Sequence, residues 1–99
     1  DFGARWGGAE NSRSGWLEID LGAEKTVAAA LLDEGGYTRI RKFEIQAEMA
    51  GTWTTVAAGA AIGAKAQIRF PKAVTARRFR LCIVEASEVP TISEFQLFE

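Results

Sequence analysis

Along most of the chain apolar and polar residues alternate one for one, and no stretch of a dozen residues sustains a helical period. Such a period of two puts apolar side chains on one face of an extended strand and polar ones on the other. Leu17, Ile19 and Leu21 share a face, with Trp16, Glu18 and Asp20 opposite. Phe43, Ile45 and Ala47 alternate with Lys42, Glu44, Gln46 and Glu48. Ala66, Ile68 and Phe70 alternate with Gln67 and Arg69, and Phe79, Leu81 and Ile83 with Arg78 and Arg80. Val27 to Leu32 is an unbroken small-apolar run, the pattern of a strand covered on both sides or tightly packed. Met49-Ala50-Gly51-Thr52 predicts a turn into Trp53-Thr54-Thr55-Val56, and so a hairpin. Residues 57–66 are alanine-rich enough to pass for helix, but Gly59 and Gly63 favour a loop or a short bridging strand. Thr91 to Phe98 closes the series. About seven short strands between glycine, proline and polar turns predict an antiparallel β-sandwich, with residues 1–99 as one domain.

Ninety-nine residues suffice for one core and not for a catalytic barrel with an appendage. With 12 basic and 13 acidic residues the formal charge is −1, which offers no electrostatic footprint for nucleic acid or an anionic membrane. No apolar run approaches the roughly 20 residues of a membrane span. Residues 1–6 lack the charged-then-apolar layout of a signal peptide, which does not exclude secretion by a longer precursor. There is no histidine, so imidazole acid–base catalysis, the usual triads and imidazole zinc sites are absent. The single cysteine, Cys82, lies between Leu81 and Ile83 and reads as a small buried hydrophobe rather than a reactive thiol. Glu18 and Asp20 share a strand face, and Asp33 and Glu34 point apart in extended chain. Neither pair marks the cleft that a glycosidase needs. The chain reads as a non-enzyme.

Asp1 to Trp6, Gly15 to Gly22, Gly51-Thr52-Trp53 and Val74 to Leu81, taken in that order, resemble motifs of the discoidin family, also called the coagulation factor 5/8 C-type domain. Asp1 to Trp6 resembles the end of the family's Asp-Gly-Asp loop, and Gly15 to Gly22 its strand of the form Trp-Leu-Glu-Val-Asp-Leu-Gly. Gly51-Thr52-Trp53 resembles its Gly-Lys-Thr-Trp hairpin, and Val74 to Leu81 its penultimate strand. Within the family the chain is similar to the family 32 carbohydrate-binding modules. Arg39 to Phe43, Ile62 to Lys65 and Pro90 to Phe98 look most like the C-terminal module of family 29 alpha-L-fucosidases. The resemblance implies an all-β antiparallel jelly-roll sandwich, discoidin-like and galactose-binding-domain-like. Family members begin with a further strand before the aspartate-rich turn, so the chain reads as lacking that N-terminal strand. The edge left open next to the C-terminal strand or its neighbour is then a surface for self-association.

The implied function is that of a non-catalytic accessory module of a secreted or periplasmic glycoside hydrolase, weakly binding a terminal sugar such as galactose or fucose. Its partners are then a glycan and a catalytic domain, with no nucleic acid and no membrane. Such modules bind in the loops at one end of the sandwich. There Asp33 to Arg39 offers a ring, two carboxylates and a guanidinium within one loop. Tyr37 is the expected stacking platform, Glu34 and Arg39 the partners of ring hydroxyls, and Glu88 approaches from the facing loop, Glu85 to Pro90. The other reading of these loops is plain solvated surface. In that case the chain is a structural sandwich packed on a catalytic partner, without glycan binding. Trp16 and Trp53 read as core or cross-strand packing, whereas Trp6 stands evenly between packing and sugar stacking. The absence of exposed apolar spikes and basic loops disfavours a lipid-binding or adhesion role. The family also implies a structural calcium, for which Asp1, the carbonyl of Ala4 and Glu94 occupy the ligand positions.

Overall fold

The computed structural model of the protein describes residues 4–7, 15–35, 38–88 and 92–99, with residues 4–7 described as backbone only. Those residues form six strands and no helix: β1 (Ala4–Gly7), β2 (Gly15–Asp33), β3 (Ile40–Met49), β4 (Thr52–Gly59), β5 (Ala66–Ala86) and β6 (Glu94–Phe98). All pairings are antiparallel. The main path runs β1-β2-β5-β3-β4, and β6 adds to the far part of β2.

Two of the expected short strands merge in each of β2 and β5, which are 19 and 21 residues long. Their first contact, Gly15–Asp20 against Arg78–Ile83, belongs to a five-stranded layer completed by β1, β3 and β4. The second, Lys25–Leu32 against Ala66–Ala76, belongs to a three-stranded layer completed by β6. Between them the register shifts from Asp20 to Lys25. Gly22 sits there at φ +81°, a conformation that side chains with a Cβ resist, and its N–H donates to Asp20 Oδ1 at 2.8 Å. Arg77 grips the same carboxylate through Nε at 2.7 Å and Nη2 at 3.1 Å. The Arg77 hydrogen bond, followed by that of Gly22, holds the Asp20 carboxyl down at about 2. One continuous strand therefore serves both layers by bulging rather than stopping.

The alternation predicted from sequence defines the core. Phe43, Ile45 and Ala47 of β3 and Phe79 and Leu81 of β5 are fully buried and belong to one cluster with Val27, Ala30 and Leu32 of β2. The Phe70 and Phe79 rings, one from each half of β5, lie 6.5 Å apart, so the two layers share that core as a sandwich. Gly59 lets β4 approach, because a Cβ there would stand 2.7 Å from Cζ of Phe43. The predicted hairpin is present: Met49 pairs with Thr52 across Ala50 at φ 52° and Gly51 at φ 79°. Two positive φ angles in a two-residue loop make a type I′ turn, whose twist matches that of the strands. In residues 57–66, Ala57 to Gly59 finish β4 and a loop follows before β5.

The outer face of the five-stranded layer carries the tryptophans. The Arg80 guanidinium lies 4.3 Å from the Trp53 ring centre and 5.6 Å from that of Trp16. Its Nε donates to Gln46 Oε1 at 2.8 Å. Both rings thus take part in cross-strand cation–π contact, as the packing reading expects, with Trp16 still 39% exposed. Cys82 shares this outer face and is half-buried, unlike its inward neighbours Leu81 and Ile83. Burial pushes its thiol up, which keeps it a poor nucleophile.

Candidate functional site

Three loops meet where β2 ends, β3 begins and β5 both begins and ends. The organiser is Glu34, which is fully buried. Its N–H donates to the Gly63 carbonyl at 2.9 Å, and the Gly63 N–H donates back to Glu34 Oε2 at 2.8 Å. Oε1 accepts from the N–H groups of Arg39 at 2.9 Å and Ile40 at 3.0 Å. A side chain next to a polar turn folds inward because its two oxygens satisfy three backbone donors that the loop would otherwise bury unpaired. The expectation that Glu34 meets a sugar hydroxyl is corrected by this geometry: its oxygens serve the loop and face no solvent. Asp33 is also spent locally, with Oδ1 accepting from the Gly35 N–H at 2.7 Å and its carbonyl accepting from the Ser93 N–H at 2.8 Å.

The structure does bring Arg39 and Glu88 together. Arg39 Nε stands 3.5 Å from Glu88 Oε2, with the two side chains 29% and 70% exposed. The facing loops are joined beneath them by a hydrogen bond from the Ser87 N–H to the Arg39 carbonyl at 2.8 Å. A partly exposed pair at this separation contributes about 0–1 kcal/mol to stability. Beside it opens a shallow hollow of 430 Å³ between Arg41 and Lys42 of β3, Glu85 of β5 and Ala58 to Ala60 at the end of β4. Sequence reasoning missed Arg41, Lys42 and Glu85, since only the β3–β5 register sets Lys42 opposite Glu85. This end of the sandwich presents donors and acceptors in the open. Among the described residues it presents no catalytic cleft. Tyr37, the expected stacking ring, lies outside the described residues, as does Asp1.

Of the expected calcium ligands, Ala4 pairs with Ile19 in β1 and Glu94 pairs with Asp33 at the far end of β2. Glu94 Oε2 accepts from Gln96 Nε2 at 3.0 Å. Among the described residues no three His, Cys, Asp or Glu side chains gather closely enough to hold a metal ion. Glu94 is the one expected side-chain ligand among the described residues, since Asp1 lies outside them. The Trp6 side chain is likewise outside the description.

The family described as the F5/8 type C domain matches residues 1–95. The chain belongs to this family. The F5/8 type C domain is a non-catalytic binding module. Among solved structures it is similar to a putative alpha-L-fucosidase from Bacteroides thetaiotaomicron VPI-5482, with 29% identity and a TM-score of 0.81 over 91% of this chain and 21% of that one. It is similar also to a GH29 fucosidase from Ruminococcus gnavus solved in complex with fucose, with 28% identity and a TM-score of 0.77 over 99% of this chain and 20% of that one. A third likeness, of fold alone at 22% identity, is to chitosan-binding module 2 of a chitosanase/glucanase from Paenibacillus sp. IK-5, solved with chitotriose. Its TM-score is 0.74, over 95% of this chain and 73% of that one. No match was found among curated protein sequences. The domain spans about a fifth of the fucosidases' length, and their catalytic domain is not part of it.

Proposed function

We propose that this domain is a carbohydrate-binding module that works beside the catalytic domain of a secreted or periplasmic glycoside hydrolase of the alpha-L-fucosidase kind. It holds a terminal sugar such as galactose or fucose at the loop end, through Arg39 and Glu88 with Tyr37 as the stacking ring. The observation that carries the reading is the Arg39–Glu88 pair, 3.5 Å apart, with Arg39 partly and Glu88 largely exposed, where Glu34 fixes the backbone beneath Arg39. A fixed frame under exposed donors lowers the ordering cost of binding. Support comes from the family and from the two kinds of neighbour it matches, fucosidases and a module captured with a chitosan oligosaccharide.

A shallow site with few charged hydrogen bonds supports only weak affinity, about −4 to −6 kcal/mol, or millimolar to high-micromolar. A glycan-array screen of the domain, displayed in many copies so that avidity lifts weak contacts into range, tests the specificity. Retention on glycans ending in galactose or fucose is expected, and an Arg39→Ala variant should lose it. Retention that survives Arg39→Ala would remove the loop end from the account.

A second reading, a structural sandwich packed on its catalytic partner, gains from the burial of Glu34, which removes one expected sugar contact. Self-association is a further part of the proposal. Among the described residues β6 pairs only with β2, leaving its outer edge as the surface that a second copy would use.

A further inference from the structure

The three-stranded layer has an outer face of its own, remote in sequence from the loop end. Ala29 pairs on one side with Phe98 and on the other with Arg69, so these three residues form one row across β6, β2 and β5. Their neighbours Leu97, Ala30, Ile68 and Phe70 pack in or against the core. Alternation therefore turns Phe98, Ala29, Arg69 and Gln67 outward. Between a phenyl ring and a guanidinium, the alanine methyl fills little space. The result is a hollow of 320 Å³ lined by Phe98, Ala29, Ala30, Gln67, Ile68 and Arg69. Phe98 is 45% exposed, and Gln67 and Arg69 are exposed. Neither of those two polar side chains has a hydrogen bond or ion pair among the described residues.

We propose that this hollow is a second carbohydrate site, separate from the loop end, which takes a single pyranose ring of a glycan. The apolar face of the sugar lies on the Phe98 ring, and the Arg69 guanidinium and Gln67 amide bond its hydroxyls. One open ring face beside unpaired donors is the composition of a sugar subsite. The volume stands at the low end of ligand pockets, which suits one ring and not a chain. Of the apolar lining residues only Phe98 is a large exposed side chain, and it stands beside the polar Gln67 and Arg69. The inference shares its ligand class with the proposed function, but it uses different residues, so the two fail separately.

The test is chemical-shift mapping of the ¹⁵N-labelled chain with methyl β-D-galactoside, methyl α-L-fucoside and chitotriose as probes. Saturable shifts are expected at the amides of Ala29, Gln67, Arg69 and Phe98 with at least one probe. Phe98→Leu keeps the bulk but loses the flat ring, and should raise the Kd read from those shifts by roughly tenfold. Arg69→Ala, a surface change that leaves the core intact, should raise it too, whereas Arg39→Ala should leave it unchanged. Shifts confined to the loop end, or no shifts with any probe, would overturn the second site. So would shifts here that are indifferent to both Phe98→Leu and Arg69→Ala.

Discussion

Glu34 shows how far a residue's role depends on what folds against it. Read in sequence, a glutamate between an aspartate and two glycines is a solvated loop carboxylate. Its burial requires Gly63, 29 positions away, to present an N–H and a carbonyl to it. No local pattern carries that information. Arg39 and Glu88 were legible, because a basic and an acidic residue on facing loops remain at the surface and meet there. Gln67, Arg69 and Phe98 were not, because their row exists only once three strands take register. The Glu34 account is testable by Glu34→Gln, which puts an amide NH₂ where an acceptor is needed and sets donor against donor. Chemical denaturation should show a loss of about 1–3 kcal/mol, and the amides of Arg39, Ile40 and Gly63 should lose hydrogen-exchange protection. Unchanged stability and protection would show that the loop does not depend on these bonds.

At the level of elements, the strand faces were legible wherever alternation was strict. Phe43, Ile45 and Ala47 in β3 and Phe79, Leu81 and Ile83 in β5 all turn inward as their period requires. Strand ends were less legible. Gly22 closes the family-like motif that starts at Gly15, yet it is a bulge that carries β2 from one layer to the other. A glycine permits a stop or a bulge, and the Asp20 carboxylate that receives Arg77 as well as the Gly22 N–H selects between them. The β3–β4 hairpin has one residue working against its turn. Ala50 holds φ 52°, a region that costs an L-residue with a Cβ roughly 1 kcal/mol. Ala50→Gly should therefore raise stability by up to about 1 kcal/mol, because relief of that strain outweighs the extra unfolded-state freedom of glycine. A lower denaturation midpoint at unchanged m-value would mean that the turn is not strained at Ala50 in solution.

As a whole molecule, the domain is a scaffold whose inside and one outer face are committed to its own stability. The core is closed, and Arg80 occupies Trp16 and Trp53 on the five-stranded layer. Two hollows open elsewhere among the described residues, one at the loop end and one beside Phe98. The fold was readable from alternation and turn residues, and the family from a handful of ordered motifs. The sites depend on loop convergence and strand register, which those signals do not encode. Binding of a terminal sugar at the loop end of this non-catalytic domain is the proposal on which its function rests. The most direct measurement is an NMR titration of the domain with galactose and fucose, comparing the native chain with Tyr37→Ala and following residues 33–39 together with Glu88. Saturable shifts in those residues, lost in Tyr37→Ala at an unchanged melting temperature, are the predicted result. Residues 33–39 that stay unmoved up to tens of millimolar of either sugar would contradict it and leave the structural-module reading in its place.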